Sequence, residues 1–392
     1  MDNLSDYILW MGDYPISLTG FHEPDAVILC LLSYIDFRPA FTAERRSIPL
    51  KDTLPILQGN GLRVMITGDS KEHEKIYETA AKSKRFGELI LSDYVDLLDD
   101  SPTVQFSAVC FHGSDWSFIA YRGTDSSVTG WKEDFMISFT KTEAQELALN
   151  YAKDHLTDDR IWYMGGHSKG GNEVLYASAM LPEETLNKVR HIYLLDGPGL
   201  CPEVTDVDIT KRIDGKATRI IPEFSIVGKL FEPEIADTRI VQSFGMGIDQ
   251  HGLATWAIDH GKLAYAEEND AVSEWLCESL NEWIGHIPQN DRPVFVEEFF
   301  DAISVGGTTD LNRILRGSWS DIDAILKRID ASSELTKKVL TELPRLAFQN
   351  AVDQVRQKLE ETAASRKKAK SDNATDEVSC GICQQRNREE PI

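Results

Sequence analysis

The spacing of apolar residues divides the chain into four stretches. Up to residue 100, apolar residues recur mostly at intervals of three or four, which predicts helices. From 104 to 244, short β-rich runs alternate with helical patterns, which predicts strands alternating with helices. Beyond residue 265 the spacing is helical only. From residue 365 the sequence is polar and has almost nothing to bury.

This spacing places the individual elements. Helices are predicted at 23–36, 72–84, 88–98, 142–155 and 169–181, the fourth capped by Thr142. Strands are predicted at 104–110, 117–122, 160–164, 191–195, 217–221 and 238–244. The turn-forming residues His112-Gly113-Ser114-Asp115 join the first two strands, which indicates a hairpin.

The order of these elements predicts an α/β fold with a mostly parallel sheet flanked by helices and an antiparallel hairpin at one edge. After the sheet, helices are predicted at 267–284, 294–303, 320–328 and 334–362. We therefore divide the chain into an α/β domain at 1–265, a C-terminal helical extension at 266–364 and a disordered tail at 365–392.

Composition and charge narrow the range of partners and compartments. The formal net charge of −23 argues against nucleic acid as a partner, because phosphates would be repelled. No apolar run is long enough to span a membrane, and the N-terminus lacks the basic start of a signal peptide. The six cysteines include a single C-x-x-C pair, Cys380 and Cys383, which cannot fill a four-ligand zinc site. We expect a cytoplasmic protein without a cofactor or metal.

The most informative short motif is Gly166-His167-Ser168-Lys169-Gly170, between a predicted strand and a predicted helix. This is the pattern of a nucleophile elbow, in which a serine is held on a sharp turn and small neighbours let strand and helix approach. Ser168 is the candidate nucleophile. The backbone N–H of Lys169, at the start of the helix, would help to bind an oxyanion.

A serine nucleophile needs a histidine as its base, and α/β-hydrolases carry serine, acid and histidine in that order. His191 opens a strand that should be buried, and His286 lies far along a helical region. His251 and His260 both precede glycine in predicted loops after the last strand. From the residues alone, either His251 or His260 could be the base. His167, beside the nucleophile, is interpreted as a packing residue.

Several motifs together resemble one protein family. Tyr121-Arg122-Gly123-Thr124 followed by Trp131 and Asp134 resembles the oxyanion-loop signature of class-three (fungal-type) lipases. Gly166 to Gly171 resembles their elbow. Asp196-Gly197-Pro198-Gly199 and the segment 9–36 are more similar to a bacterial branch of that group, the Mbeg-like proteins. The resemblance covers roughly residues 5–260 and implies an α/β-hydrolase-like fold.

The resemblance also implies roles for individual residues. Thr124 would be the second oxyanion donor, and Asp134 would support its loop. His251 would be the base, because the family's histidine is followed a few residues later by an aromatic residue, here Trp256. Lys169 departs from the family, which usually has leucine at that position.

The acid of the site has two candidates. Asp196 follows the strand after the elbow, a position that some lipases use, although it could instead cap the turn that follows. Class-three lipases place the acid after the next strand, where this sequence has Glu223 and Ser225 but no aspartate. We prefer Asp196 and keep Glu223 as the alternative.

These features predict a serine hydrolase that cleaves an ester through an acyl-enzyme, with a lipid, short acyl ester or thioester as substrate. The alternative is a non-catalytic protein of the same fold that binds a partner through its helical extension. The side chain of Lys169 has two possible positions. At the pocket mouth it would favour anionic substrates, whereas along the helix it would pair with Glu173.

Overall fold

A computed structural model describes residues 1–66, 70–100, 103–124, 136–137, 141–200, 204, 208–271, 273, 274, 277, 278, 281, 288, 292 and 294. All of them belong to one compact unit, Met1–Arg328. The predicted helices at 320–328 and 334–362 and the predicted tail at 365–392 lie outside the described residues. The proposed domain boundaries therefore remain predictions.

The described helices largely follow the predicted spacing, and several begin at capping residues. Thr142 and Gln145 form a capping box, in which each side chain accepts from the other's backbone N–H. The helices are α1 (Leu4–Met11), α2 (Ile16–Thr19), α3 (Glu23–Leu32), α4 (Leu50–Gly59), α5 (Lys71–Lys82), α6 (Glu143–His155), α7 (Lys169–Met180), α8 (Glu183–Lys188) and α9 (Ile209–Ile213).

In the part of the chain that the structure describes, nine strands form one sheet, and two more form a small antiparallel ribbon. The sheet has the order β1-β2-β3-β4-β5-β6-β7-β8-β11, and the ribbon pairs β9 with β10. The strands are β1 (Ser47–Pro49), β2 (Ile90–Asp100), β3 (Thr103–His112), β4 (Trp116–Tyr121), β5 (Ile161–His167), β6 (Val189–Leu195), β7 (Ala217–Pro222), β8 (Thr238–Val241), β9 (Ile258–Asp259), β10 (Lys262–Leu263) and β11 (Tyr265–Ala266).

Strands β4 to β8 are parallel, so their carboxyl ends meet at one edge of the sheet. Strands β1 to β3 and β11 pair antiparallel on the two sides of this parallel part. The sheet is therefore the predicted α/β-hydrolase-like one, with a longer antiparallel part than the predicted hairpin. The hairpin itself is confirmed as β3 and β4.

Helices cover both faces of the sheet. Successive residues of a strand point to opposite faces. A Cβ at Gly165 would lie 2.9 Å from Cys30 Sγ of α3, whereas a Cβ at Gly166 would meet the backbone of α7. From Ala26 to Leu32, helix α3 is apolar on all sides and completely buried, which its position under the sheet explains. Among the described residues, no helix is long and apolar enough to cross a membrane.

One predicted helix, at 88–98, is wrong. Residues 90–98 belong to β2, which pairs with β3 from Ile90 to Asp100. A β-bulge between Ser92 and Val95 shifts the register, and Asp93 within it has a φ of 55°. The inserted residues break the two-residue alternation of a strand and mimic helical spacing. Pairing with β3 decides the conformation instead.

Candidate active site

The serine of the elbow lies at the junction of β5 and α7 in a strained conformation. Ser168 has a φ of 58° and a ψ of −126°, a combination that non-glycine residues rarely adopt. Its N–H donates to the Leu195 carbonyl at 3.0 Å, and its carbonyl accepts from the Gly171 N–H at 2.8 Å. The next strand and the first helical turn thus hold the strained residue at the carboxyl edge of the sheet.

Several backbones meet at this turn so closely that only glycine fits between them. A Cβ at Gly166 would lie 2.0 Å from Gly170 O, and one at Gly170 would lie 2.3 Å from Tyr121 O. A Cβ at Gly197 would lie 2.7 Å from Ser168 O. The small neighbours that the elbow pattern requires are present for this steric reason. The segment after β6 also contacts the backbone of the serine.

The segment after β4 reaches Ser168 as well. A Cβ at Gly123 would lie 2.9 Å from Ser168 Cβ, so Gly123 adjoins the serine, and Thr124 follows it in the chain. Lys169 is the first residue of α7, where backbone N–H groups point beyond the helix end and the helix dipole is positive. Each predicted oxyanion residue therefore follows a residue of this contact: Lys169 follows Ser168, and Thr124 follows Gly123. Two further residues of the same signature lie outside the described residues: Trp131 and Asp134.

A buried carboxylate follows β6. Asp196 Oδ2 accepts a hydrogen bond from His251 Nδ1 at 2.6 Å, and its Oδ1 accepts one from the Ser225 hydroxyl at 2.5 Å. Its side chain is 1% exposed. Because an ionised carboxylate can only accept, Nδ1 of His251 carries a proton. In the neutral ring, Nε2 is then the basic nitrogen.

The turn that carries His251 is anchored by an aromatic residue. His251 ends a short 3₁₀ turn, Gly247–His251, and its side chain is 26% exposed. The buried Trp256 donates from Nε1 to the Gln250 carbonyl at 3.0 Å. Trp256 is the aromatic residue on which the family resemblance based the choice of His251. Its hydrogen bond holds the backbone next to His251 in place. The His251 ring lies 4.5 Å from the ring of His167, the residue before Ser168.

The other candidate residues lie elsewhere. His260 is in the turn between β9 and β10, with its side chain 93% exposed and paired with Asp259. His191 contacts the Thr218 hydroxyl from β6, and His286 lies outside the described residues. Glu223 follows β7, but the carboxylate that contacts His251 is that of Asp196.

The side chain of Lys169 points away from solvent. It is 1% exposed and lies 3.8 Å from Glu173 Oε1 in an i,i+4 ion pair. Its Nζ also donates to the main-chain carbonyl of Gln105 on β3. Of the two predicted positions, the pairing with Glu173 is therefore confirmed.

The described residues contain one group with the chemistry of metal ligands, away from the elbow sequence. The ligand atoms of Asp93, Cys110 and His155 lie within 4.8 Å of one another. His155 and Asp93 form an ion pair, with Nε2 3.6 Å from Oδ1, and Cys110 Sγ lies 3.3 Å from the Tyr151 hydroxyl. His155 Nδ1 contacts the Tyr151 carbonyl at 2.7 Å, and the Asp93 carboxylate raises the pKa of His155.

Comparison with known proteins identifies the family. The family model described as Mbeg1-like matches residues 80–301, more than half of the 392-residue chain. The chain belongs to the Mbeg1-like family. The match includes Gly123, Ser168, Asp196 and His251, so four of the segments that meet around the elbow of this Mbeg1-like protein lie within the family region.

Other comparisons add little for this Mbeg1-like chain. No curated protein matches it. A solved structure titled "Crystal structure of M37 lipase" is 15% identical and covers 53% of this chain and 70% of its own, with a TM-score of 0.31. A likeness this weak supports no argument about activity.

One residue that supports the carboxylate was not predicted for that role. Ser225 was considered only as an occupant of the acid's position, whereas its hydroxyl binds the Asp196 carboxylate. It follows β7, the strand next to β6, at the carboxyl edge of the sheet. The sequence signal for this role was the position of Ser225: a polar residue at the carboxyl edge of the sheet, after the strand next to the one that precedes Asp196.

Proposed function

We propose that this Mbeg1-like protein is a serine hydrolase that cleaves carboxylic esters, with Ser168 as nucleophile, His251 as base and Asp196 as the acid that orients the base. The observation that carries the proposal is the hydrogen bond of 2.6 Å between His251 Nδ1 and Asp196 Oδ2, close to a serine in the strained elbow conformation. A structural turn has no need of a buried carboxylate oriented on a histidine.

The proposed mechanism follows from these positions. His251 Nε2 accepts the proton of the Ser168 hydroxyl while Oγ attacks the acyl carbon of the ester. Asp196 stabilises the imidazolium that forms. The imidazolium then gives its proton to the departing alcohol or thiol, which leaves an acyl-enzyme on Ser168. Water, deprotonated by His251 in turn, attacks the acyl carbon, and the imidazolium returns the proton to Ser168 Oγ as the acyl–Oγ bond breaks and the acid leaves.

Backbone donors would stabilise the negative charge that develops on the acyl oxygen. The N–H of Lys169 lies at the positive end of α7, and Thr124 approaches from β4 beside Gly123. A single donor of this kind is typically worth about 3–4 kcal/mol of transition-state stabilisation. We assign the oxyanion hole to these two residues.

The substrate class that fits best is an uncharged acyl ester, whether a lipid, a short acyl ester or a thioester. The ammonium group of Lys169 is buried against Glu173 and Gln105, so it would not attract an anionic substrate group beside the acyl carbon. The described residues offer no observation that favours the alternative, partner binding through the helical extension.

Turnover of p-nitrophenyl esters of increasing chain length tests this function. The wild-type protein should hydrolyse at least one of them, and Ser168→Ala should abolish the reaction without lowering the thermal midpoint. His251→Ala should reduce kcat by a factor of about 10³ or more. His260→Ala is the matched control, since its exposed side chain lies in a different turn. Absence of turnover for every ester with the wild-type protein would exclude esterase activity.

A further inference from the structure

A buried chain of hydrogen bonds connects two parts of the proposed site behind Ser168. The Gly123 N–H donates to the Tyr34 hydroxyl at 3.1 Å. That hydroxyl lies 2.7 Å from His167 Nδ1, and His167 Nε2 lies 2.8 Å from the His251 carbonyl oxygen. One end of the chain is therefore the segment that carries Thr124, and the other end is the backbone of the proposed base.

The direction of each hydrogen bond can be assigned. A carbonyl oxygen only accepts, so His167 Nε2 carries a proton. Burial lowers the pKa of His167 well below its ordinary value, which keeps the ring neutral and leaves Nδ1 as an acceptor. The Tyr34 hydroxyl consequently donates to Nδ1, and its oxygen accepts from Gly123. Every group in the chain is satisfied by one arrangement of protons.

We propose that Tyr34 and His167 are positioning residues, which hold the Gly123–Thr124 segment and the backbone of His251 in register around Ser168. This inference rests on the proposed hydrolase function. The Gly123 N–H is occupied by Tyr34, which leaves the role of second oxyanion donor to Thr124. His167 thus does more than fill space, in contrast to its interpretation from sequence as a packing residue.

The neutral state of His167 suits this role. Its ring lies 4.5 Å from that of His251, which becomes positively charged when it takes the serine proton. A second charge at that distance would oppose the proton transfer. A neutral ring instead holds the His251 backbone through an ordinary hydrogen bond. The imidazole of His73, near Tyr34, is also buried, and burial lowers its pKa to about 4.

Removing one hydroxyl group tests the proposal. Tyr34→Phe keeps the ring but leaves the Gly123 N–H without its acceptor and His167 Nδ1 without its donor. We expect kcat to fall about 10- to 100-fold while KM changes less than twofold, since misplacement of a catalytic group by about 1 Å can cost 10²-fold. His167→Gln, which retains a donor and an acceptor, should keep more activity than His167→Leu.

Tyr94→Phe is the matched control. Tyr94 is also a largely buried tyrosine, and its hydroxyl has no hydrogen-bond partner among the residues that the structure describes. Both variants should stay folded at the assay temperature, and only Tyr34→Phe should lose kcat. Equal kcat values for Tyr34→Phe and Tyr94→Phe would overturn the positioning role.

A measurement without substrate separates this proposal from the hydrolase function. Nitrogen NMR of labelled histidine should show His167 in the tautomer with hydrogen on Nε2 at neutral pH, and the Nδ1 resonance should shift in Tyr34→Phe. The tautomer with hydrogen on Nδ1 would contradict the assigned hydrogen bonds even if the enzyme is active. A wild-type protein that gives the expected spectrum but hydrolyses no ester would refute the hydrolase function and the positioning role that rests on it. The assigned hydrogen bonds themselves would stand.

Discussion

At the scale of single residues, the most consequential contact outside the proposed serine and histidine is that between Ser225 and Asp196. The carboxylate is buried and has two donors, one on each oxygen. Each donor holds one carboxylate oxygen in place, so that the carboxylate stays turned towards His251 as the proposed mechanism requires. Loss of either would leave a buried charge only partly compensated and free to rotate away from the histidine.

Ser225→Ala should therefore lower kcat about 10- to 100-fold, because a hydrogen bond to a charged group is worth about 1.5–3 kcal/mol. Steady-state kinetics on the best p-nitrophenyl ester would measure the change. Ser178→Ala is a suitable control, since Ser178 is equally buried but its hydroxyl donates only to the Val174 carbonyl within α7. Unchanged kcat in Ser225→Ala would show that Asp196 needs only His251 to stay in place.

Local sequence was informative about residues whose role depends on local geometry. The elbow spacing predicted that Ser168 lies on a sharp turn between a strand and a helix, and Asp196 was predicted to follow the next strand. By contrast, Tyr34 and His167 are separated by 133 residues. No spacing rule connects such a pair, because their contact arises only when α3 packs under the sheet. Ser225 was missed because serine in a loop has many possible roles.

At the scale of elements, the crossing of β5 and α7 at the elbow depends on glycine. The closest approach is at Gly166, whose hydrogen faces the Gly170 carbonyl. Because both are main-chain groups, no side chain can rotate to make room for a methyl group. The elbow would have to open, which would move the serine away from the β4 segment.

Gly166→Ala should lower the free energy of unfolding by about 3 kcal/mol or more, at the upper end of the cost of overpacking. It should also abolish turnover. Gly59→Ala is the control, because a Cβ at Gly59 would meet no atom within 4 Å. Chemical unfolding of both variants would test this. A Gly166→Ala protein with wild-type stability and activity would show that β5 and α7 can move apart at the elbow without cost.

Elements were predicted well where one pattern dominated. The helices α3, α5, α6 and α7 and all the parallel strands of the sheet lie close to their predicted positions. β2 was predicted as a helix because its bulge at Ser92 to Val95 disrupts the alternation of a strand. What makes it a strand is its partner β3, which is information that a local pattern does not contain.

At the scale of the whole molecule, buried histidines should make stability depend on pH. Burial lowers the pKa of His73 to about 4 from an ordinary 6.5, and it also lowers the pKa values of His167, His112 and His191. Below pH 6.5 the unfolded chain binds protons that the folded protein excludes. The free energy of unfolding should therefore fall as the pH decreases from 6.5 towards 4.

The expected slope is about 1.4 kcal/mol per pH unit for each such histidine. Urea unfolding between pH 7.5 and 5 would measure it, and His73→Gln should reduce the slope. His155 acts in the opposite direction, because Asp93 raises its pKa and its contribution to stability is present at low pH. His155→Gln should accordingly increase the loss of unfolding free energy between pH 7.5 and pH 5. A stability that is constant across this range in the wild type would contradict the buried, neutral state of these residues.

The organisation of the chain beyond the sheet remains predicted from sequence alone. The helical extension at 266–364 and the tail at 365–392 rest on apolar spacing and polar composition. The described helical positions between 271 and 281 contact the loop after β7, since Ser273, Cys277 and Asn281 each donate to its carbonyls. The loop that carries Ser225 is therefore held in part by residues that follow the sheet.

Labelling with a fluorophosphonate probe tests the central claim most directly. Such a probe forms a covalent bond only with a serine that an adjacent base activates. The proposal predicts one probe molecule per protein, attached to Ser168 as located by peptide mass spectrometry. Labelling should be lost in Ser168→Ala, be strongly slowed in His251→Ala and persist in His260→Ala. A folded wild-type protein that stays unlabelled, or that is labelled at another serine, would contradict the proposed active site.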